Sequence, residues 1–151
     1  MSSDAETDPA EIRDKAITLL AAREHSVAEL RRKLARHFDD RDAVDAVLVE
    51  LASDGYQSDV RFAEARVRAS LNRGHGPLMI RQKLQAAGVE AGLIEQAMEA
   101  LDVDWPEEAR AILDSKFGSR PAADRRETAR RARFLASRGF SSDVIGRLLL
   151  D

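Results

Sequence analysis

Apolar residues in this chain recur at three- and four-residue spacings, in blocks separated by capping residues and glycines. Val44, Val47, Leu48 and Leu51 form one such face, and Leu93, Ile94, Ala97, Met98 and Leu101 form another. Start signals mark the blocks. Asp8-Pro9-Ala10-Glu11 sets proline at a first helical position, Ser26-Val27-Ala28-Glu29 is a capping box, and Asp39 or Asp40 caps the next helix. Ser58-Asp59, Gly76-Pro77, Asp104-Trp105-Pro106 and Ser141 or Ser142 open further helices. One more begins at Pro121 or at Asp124, where Asp124-Arg125-Arg126-Glu127 reads as another capping box. Gly55, Gly88, Gly118 and Gly139 supply stops. No stretch alternates as a strand would. The expected fold class is all-α.

The pattern also repeats. At an offset of 50, Ile12 falls on Phe62, Ile17 on Val67, Arg23 on Arg73, His25 on His75, Leu30 on Ile80, Lys33 on Lys83 and Leu34 on Leu84. At an offset of 51, Leu84 falls on Leu135, Gly88 on Gly139 and Ile94 on Ile145, but Ile80 falls on Arg131. A constant offset across a whole helical unit marks an internal repeat. The expectation is an elongated, curved helical-repeat protein of three tandem three-helix repeats. They occupy residues 9–55, 56–103 and 104–151, after a disordered acidic tail over 1–8.

Charge changes this picture more than composition does. The net charge of −3 conceals segregation: residues 61–83 carry six basic and one acidic residue, 120–138 seven and two, and 90–114 one and eight. Two basic helical bands therefore flank an acidic one. The absence of cysteine excludes disulfides, thiol catalysis and zinc–thiolate sites. No apolar run has the length of a membrane span, and the acidic start MSSDAETDPAE lacks the basic and apolar segments of a signal peptide. Those features point to a soluble, cytoplasmic protein.

No set of residues forms a catalytic constellation: there is no HExxH, phosphate-cradling glycine loop or nucleophile elbow. His25 and His75 occupy equivalent corners of two repeats, which suits turn packing, and Trp105 beside Pro106 suits a plug between units. The expectation is a non-enzyme with no metal and no cofactor. The basic bands are the candidate contact surface: Arg61, Arg66, Arg68, Arg73, Arg81 and Lys83 in the second unit, and Arg130, Arg131, Arg133 and Arg138 in the third. Such bands meet phosphates or an acidic protein surface.

Several stretches, in this order, resemble the RecX family of bacterial RecA regulators. They are Arg23-x-x-Ser26-x-x-Glu29-Leu30-x-x-Lys33-Leu34, Asp59-x-Arg61-Phe62-Ala63, Gly76-Pro77-x-x-Ile80-x-x-Lys83-Leu84-x-x-x-Gly88 and Arg133-Phe134-Leu135-x-x-Arg138-Gly139-Phe140. The chain departs from the pattern at Phe38, where a glycine often ends the second helix. The resemblance implies a monomeric inhibitor that lies in the groove of the RecA–DNA filament. It would limit filament growth, ATPase, strand exchange and coprotease activity, with at most weak direct contact to DNA. The alternatives are an autonomous nucleic-acid-binding helical module and a generic helical-repeat scaffold.

Overall fold

A computed structural model describes residues 7–150. Among them are nine α-helices and no strand: α1 (Pro9–Ala22), α2 (Val27–Leu34), α3 (Arg41–Ser53), α4 (Asp59–Asn72), α5 (Pro77–Ala86), α6 (Ala91–Glu99), α7 (Trp105–Phe117), α8 (Arg125–Ser137) and α9 (Ser142–Leu149). Residues 1–6 of the expected tail lie outside the described residues, and Asp8 is the N-cap of α1, accepting from the Ala10 N–H at 2.9 Å.

Local chemistry explains the starts. Ser26 and Glu29 form the reciprocal capping box, with Glu29 N–H donating to Ser26 Oγ at 3.0 Å and Ser26 N–H to Glu29 Oε1 at 3.2 Å. Between the two sequence-level options, Asp40, Asp124 and Ser141 are the caps of α3, α8 and α9. The second of the expected boxes is displaced by one residue. Asp124 Oδ1 accepts from Glu127 N–H at 2.9 Å, but the Glu127 carboxylate accepts from Ala123 N–H at 3.0 Å rather than from Asp124. The second helix also stops earlier than its apolar pattern suggests, at Leu34, with 34–38 closing as a turn.

The helices pack in three serial triplets, and every helix pair in substantial contact lies within one triplet. Each triplet has its own core. Ile12, Leu30, Leu34, Val44, Leu48 and Leu51 fill the first, Phe62, Val67, Ile80, Leu84, Ile94 and Met98 the second, and Ala109, Leu113, Leu135 and Phe140 the third. Ile12, Leu30, Leu34, Val44 and Leu48 fall on Phe62, Ile80, Leu84, Ile94 and Met98 at the offset of 50, and Leu84 falls on Leu135 at 51, so the repeat is largely one of buried side chains. Burying one Leu or Ile this fully is worth roughly 2 kcal/mol. Trp105 packs on both the second and third cores and meets the Phe140 ring edge-on at 6.4 Å.

Two quasi-equivalent junctions join the triplets. In each, the start of one middle helix docks on the end of the next middle helix. Ser26 Oγ, at the start of α2, donates to the Ala87 carbonyl past α5 at 2.6 Å. Gly76 and Leu78 N–H, at the start of α5, donate to the Arg138 and Gly139 carbonyls past α8 at 2.7 and 3.0 Å. Helix starts carry orphan donors and helix ends orphan acceptors, so the junctions satisfy one with the other and align the helix dipoles. Close approach demands glycine. A Cβ on Gly88 would sit 2.5 Å from Ala28 Cβ, and one on Gly139 2.5 Å from Met79 Cβ and N. Phe38 occupies the corresponding place at the end of α2, on which no other helix start docks among the described residues.

The two junctions differ in character. The first is polar: Arg61 Nε donates to Glu24 at 3.1 Å, Val27 N–H to Asp59 Oδ1 at 2.9 Å and Gln57 Nε2 to the His25 carbonyl at 3.2 Å. At the second, Ile112 of α7 lies 3.5 Å from a Cβ built on Gly74, the residue equivalent to Glu24. The first junction adds an ion pair and side-chain hydrogen bonds, and the second adds apolar contact to its two backbone bonds.

Candidate protein-interaction surface

The ten arginine and lysine positions singled out by charge divide once their partners are visible. Arg131 is corrected outright: it is only 5% exposed and occupies the core place that Ile80 fills in the second unit. Its Nη1 donates to the Arg120 carbonyl at 2.8 Å and its Nη2 to Glu127 Oε1 at 2.9 Å, and its guanidinium lies over the Phe117 ring at 5.3 Å. Those bonds compensate a buried charge, and Arg131 thereby ties the 118–124 loop to α8 instead of facing a partner. Hydrogen bonds from Ala123 N–H and Arg131 in turn hold the Glu127 carboxyl below the ordinary glutamate value.

Arg61 and Arg81 are exposed but engaged. Arg61 bonds Glu24 and also donates to the Gly55 carbonyl at 2.8 Å, and Arg81 forks onto Glu95 at 2.9 and 3.4 Å. Arg66 is half-buried, over the Phe62 ring at 5.4 Å and 3.7 Å from Glu29. Arg130 lies over Phe117 and Arg138 over Phe134, each at 5.4 Å. Among the described residues, Arg68, Arg73, Lys83, Arg130, Arg133 and Arg138 have no carboxylate within 4.0 Å.

Helical geometry further divides these. Arg61 and Arg68 share one face of α4, and Arg66 and Arg73 another, each pair spaced by two turns. Arg68 borders an apolar groove between α4 and α6 lined by Val60, Ala63, Val67, Leu93 and Leu101, of volume about 300 Å³. Arg66 and Arg73 line a second groove with Arg23 and Glu24 at the end of α1. Besides burial, the charges of Lys83, Arg138 and Arg73 act on His75 at the second junction and lower its pKa. Charge counting along the sequence missed the α4–α6 groove and Arg23. The exposed Val60 was the available sign of the groove, since it interrupts a polar face.

The two corner histidines are structural, and their protonation is set by geometry. His25 Nδ1 lies 3.1 Å from the Arg23 carbonyl and must donate, and Lys33 Nζ lies 2.9 Å from Nε2 and must itself donate. The ring is therefore neutral, with both nitrogens satisfied. Burial pushes the His25 pKa down, the bond to the Arg23 carbonyl pulls it up, and the Arg23 and Lys33 charges lower it against Glu29. His75 is lowered by burial and then by Lys83, Arg138 and Arg73. Both groups hold fewer protons folded than unfolded. The stability they confer is complete above the ordinary histidine value of about 6.5 and is lost as pH falls through the lowered folded values. Thermal melts from pH 7.5 downward should show the midpoint falling below pH 6.5. His25→Gln and His75→Gln should flatten that slope, and an unchanged slope would show that the rings do not control it.

Three serial three-helix units with glycine-fitted junctions define an all-helical repeat protein. Family models place the same division on the chain in order: RecX first three-helix domain over residues 13–51, second over 58–98 and third over 102–149. The chain belongs to the RecX family of regulatory proteins. It is 46% identical over 134 residues to regulatory protein RecX of Halorhodospira halophila, covering 89% of this chain and 83% of that one. It is also 40% identical over 142 residues to regulatory protein RecX of Ectopseudomonas mendocina, covering 94% and 95%. The crystal structure of RecX from Lactobacillus salivarius shares the fold at a TM-score of 0.77, with 20% identity over 94% of each chain. No helix among the described residues is long and apolar enough to cross a membrane.

Proposed function

We propose that this chain inhibits the RecA recombinase by binding the assembled RecA–DNA filament along its groove. The contact uses exposed cations of the second and third units, and the result is restrained filament growth, ATPase, strand exchange and coprotease activity. The observation that carries this reading is the ordered match of all three RecX domains across the chain. Serial packing is consistent with it, because an array that buries its core in separate clusters can present a long contact surface. Arg68, Arg73, Arg133 and Arg138 are the best-placed contact residues, since none is neutralised within the described chain. Arg61 and Arg81 would have to leave Glu24 and Glu95 to serve.

Cosedimentation with the cognate RecA filament on single-stranded DNA tests this reading. The protein should pellet with the filament and stay in solution with the same DNA alone at about 0.15 M salt. Equal binding to bare DNA, falling steeply with salt, would favour the autonomous nucleic-acid module instead.

A further inference from the structure

The corners of the first and second units are the same structural position, but only the first holds an acid among its cations. At the first, the Glu29 carboxylate lies 3.2 Å from Arg23 Nη1 and 3.7 Å from Arg66 Nη2. Burial works to raise the Glu29 pKa, but the bonds from Arg23 and Ser26 N–H and the charges of Arg23 and Arg66 outweigh it and keep the carboxyl ionised. Glu29 is the third residue of its helix, and the third residue of α5 is Met79. The cations are retained while the acid is gone: Arg73 stands for Arg23 and Lys83 for Lys33. The bond from Gly76 N–H to the Arg138 carbonyl, at 2.7 Å, brings the backbone of a third, Arg138, to the same corner, with its guanidinium over the Phe134 ring.

Among the described residues none of these three cations has a carboxylate within 4.0 Å. His75 between them is 8% exposed, and its Nδ1 is buried without a hydrogen-bond partner, whereas His25 Nδ1 has one. After burial, the charges of Lys83, Arg138 and Arg73 lower the His75 pKa, while at His25 Glu29 opposes the cations. A corner with excess positive charge beside a low-dielectric interior favours a counter-ion. The first corner shows which anion its shape accepts.

The geometry points to the second corner as a receptor for a carboxylate of a partner protein. An Asp or Glu side chain would lie beside Met79 among Arg73, Lys83 and Arg138, as Glu29 lies among Arg23 and Arg66. The identity of the partner as a RecA protomer rests on the proposed function, but the chemistry of the corner does not.

The full-length protein titrated with hexaglutamate at low salt, followed by proton NMR of the histidine rings, tests this. Hexaglutamate should shift the His75 ring signals and raise its pKa, leaving His25 unmoved. Met79→Glu restores the missing acid from within. It should melt no lower than the wild type, raise the His75 pKa unaided and bind hexaglutamate at least about fivefold more weakly, the range of an exposed ion pair. Met79→Gln should bind as the wild type does, and Arg73→Gln should lose the binding with the fold retained. The proposal is overturned if His75 does not respond, if Met79→Glu binds undiminished, or if inorganic phosphate or oligo(dT) shifts His75 while hexaglutamate does not. If hexaglutamate binds as expected but Met79→Glu still inhibits RecA fully, the corner stands and its assignment to RecA falls.

Discussion

Gly139→Ala lowers the stability of this protein by about 3 kcal/mol or more, and it acts first at the second junction. Three costs combine. Gly139 has φ +97°, so any side chain there incurs left-handed strain of about 1–2 kcal/mol. The new Cβ would lie 2.5 Å from both Met79 Cβ and Met79 N, and overpacking against backbone adds about 1–3 kcal/mol. Relief requires α5 and α8 to separate, which weakens the bonds from Gly76 and Leu78 N–H to the Arg138 and Gly139 carbonyls. Gly55→Ala is the matched control. Gly55 ends α3 with φ +83° and the same helix-end hydrogen bonds as Gly139, but nothing lies within 4 Å of the added Cβ. It should cost only about 1–2 kcal/mol, and the difference between the two variants isolates the junction.

Trp105 provides the readout. It is the sole tryptophan of the chain and packs on the cores of both the second and third units. In urea, Gly139→Ala should bring the tryptophan transition ahead of the loss of helical circular dichroism, because units of an array can uncouple when their interface fails. Equal destabilisation by Gly139→Ala and Gly55→Ala would show that the close approach contributes nothing.

How much of this was legible in the sequence depends on how local the determining physics is. Helix starts were readable because caps act within three residues: Ser26 with Glu29 and Asp104 with Glu107 bond just as their spacing suggests. The repeat was readable because it is written in buried side chains, and it led to three units before any contact was known. Ion pairing was not readable. Arg61 finds Glu24 thirty-seven residues away and Arg81 finds Glu95 fourteen away, so net charge by segment overcounted the cations open to a partner. Arg131 was misplaced for a related reason. An arginine in a basic run reads as surface, although the offset had already set it against the core residue Ile80. Phe38 departs from the pattern at the one middle-helix end among the described residues without a close glycine contact to another unit, a difference visible only in three dimensions.

The central claim is that this chain acts on the RecA filament and not on DNA. It is tested most directly by the steady-state ATPase of the cognate RecA on single-stranded DNA, titrated with the protein, alongside its binding to that DNA without RecA. The expected result is loss of most of the ATPase at concentrations at least about tenfold below those that bind bare DNA, a preference of roughly 1.4 kcal/mol or more for the filament. Moderate salt should weaken the inhibition without abolishing it, since the contact is partly electrostatic. An ATPase that stays unchanged while the protein saturates the DNA, or that falls only in step with DNA binding, would contradict the claim.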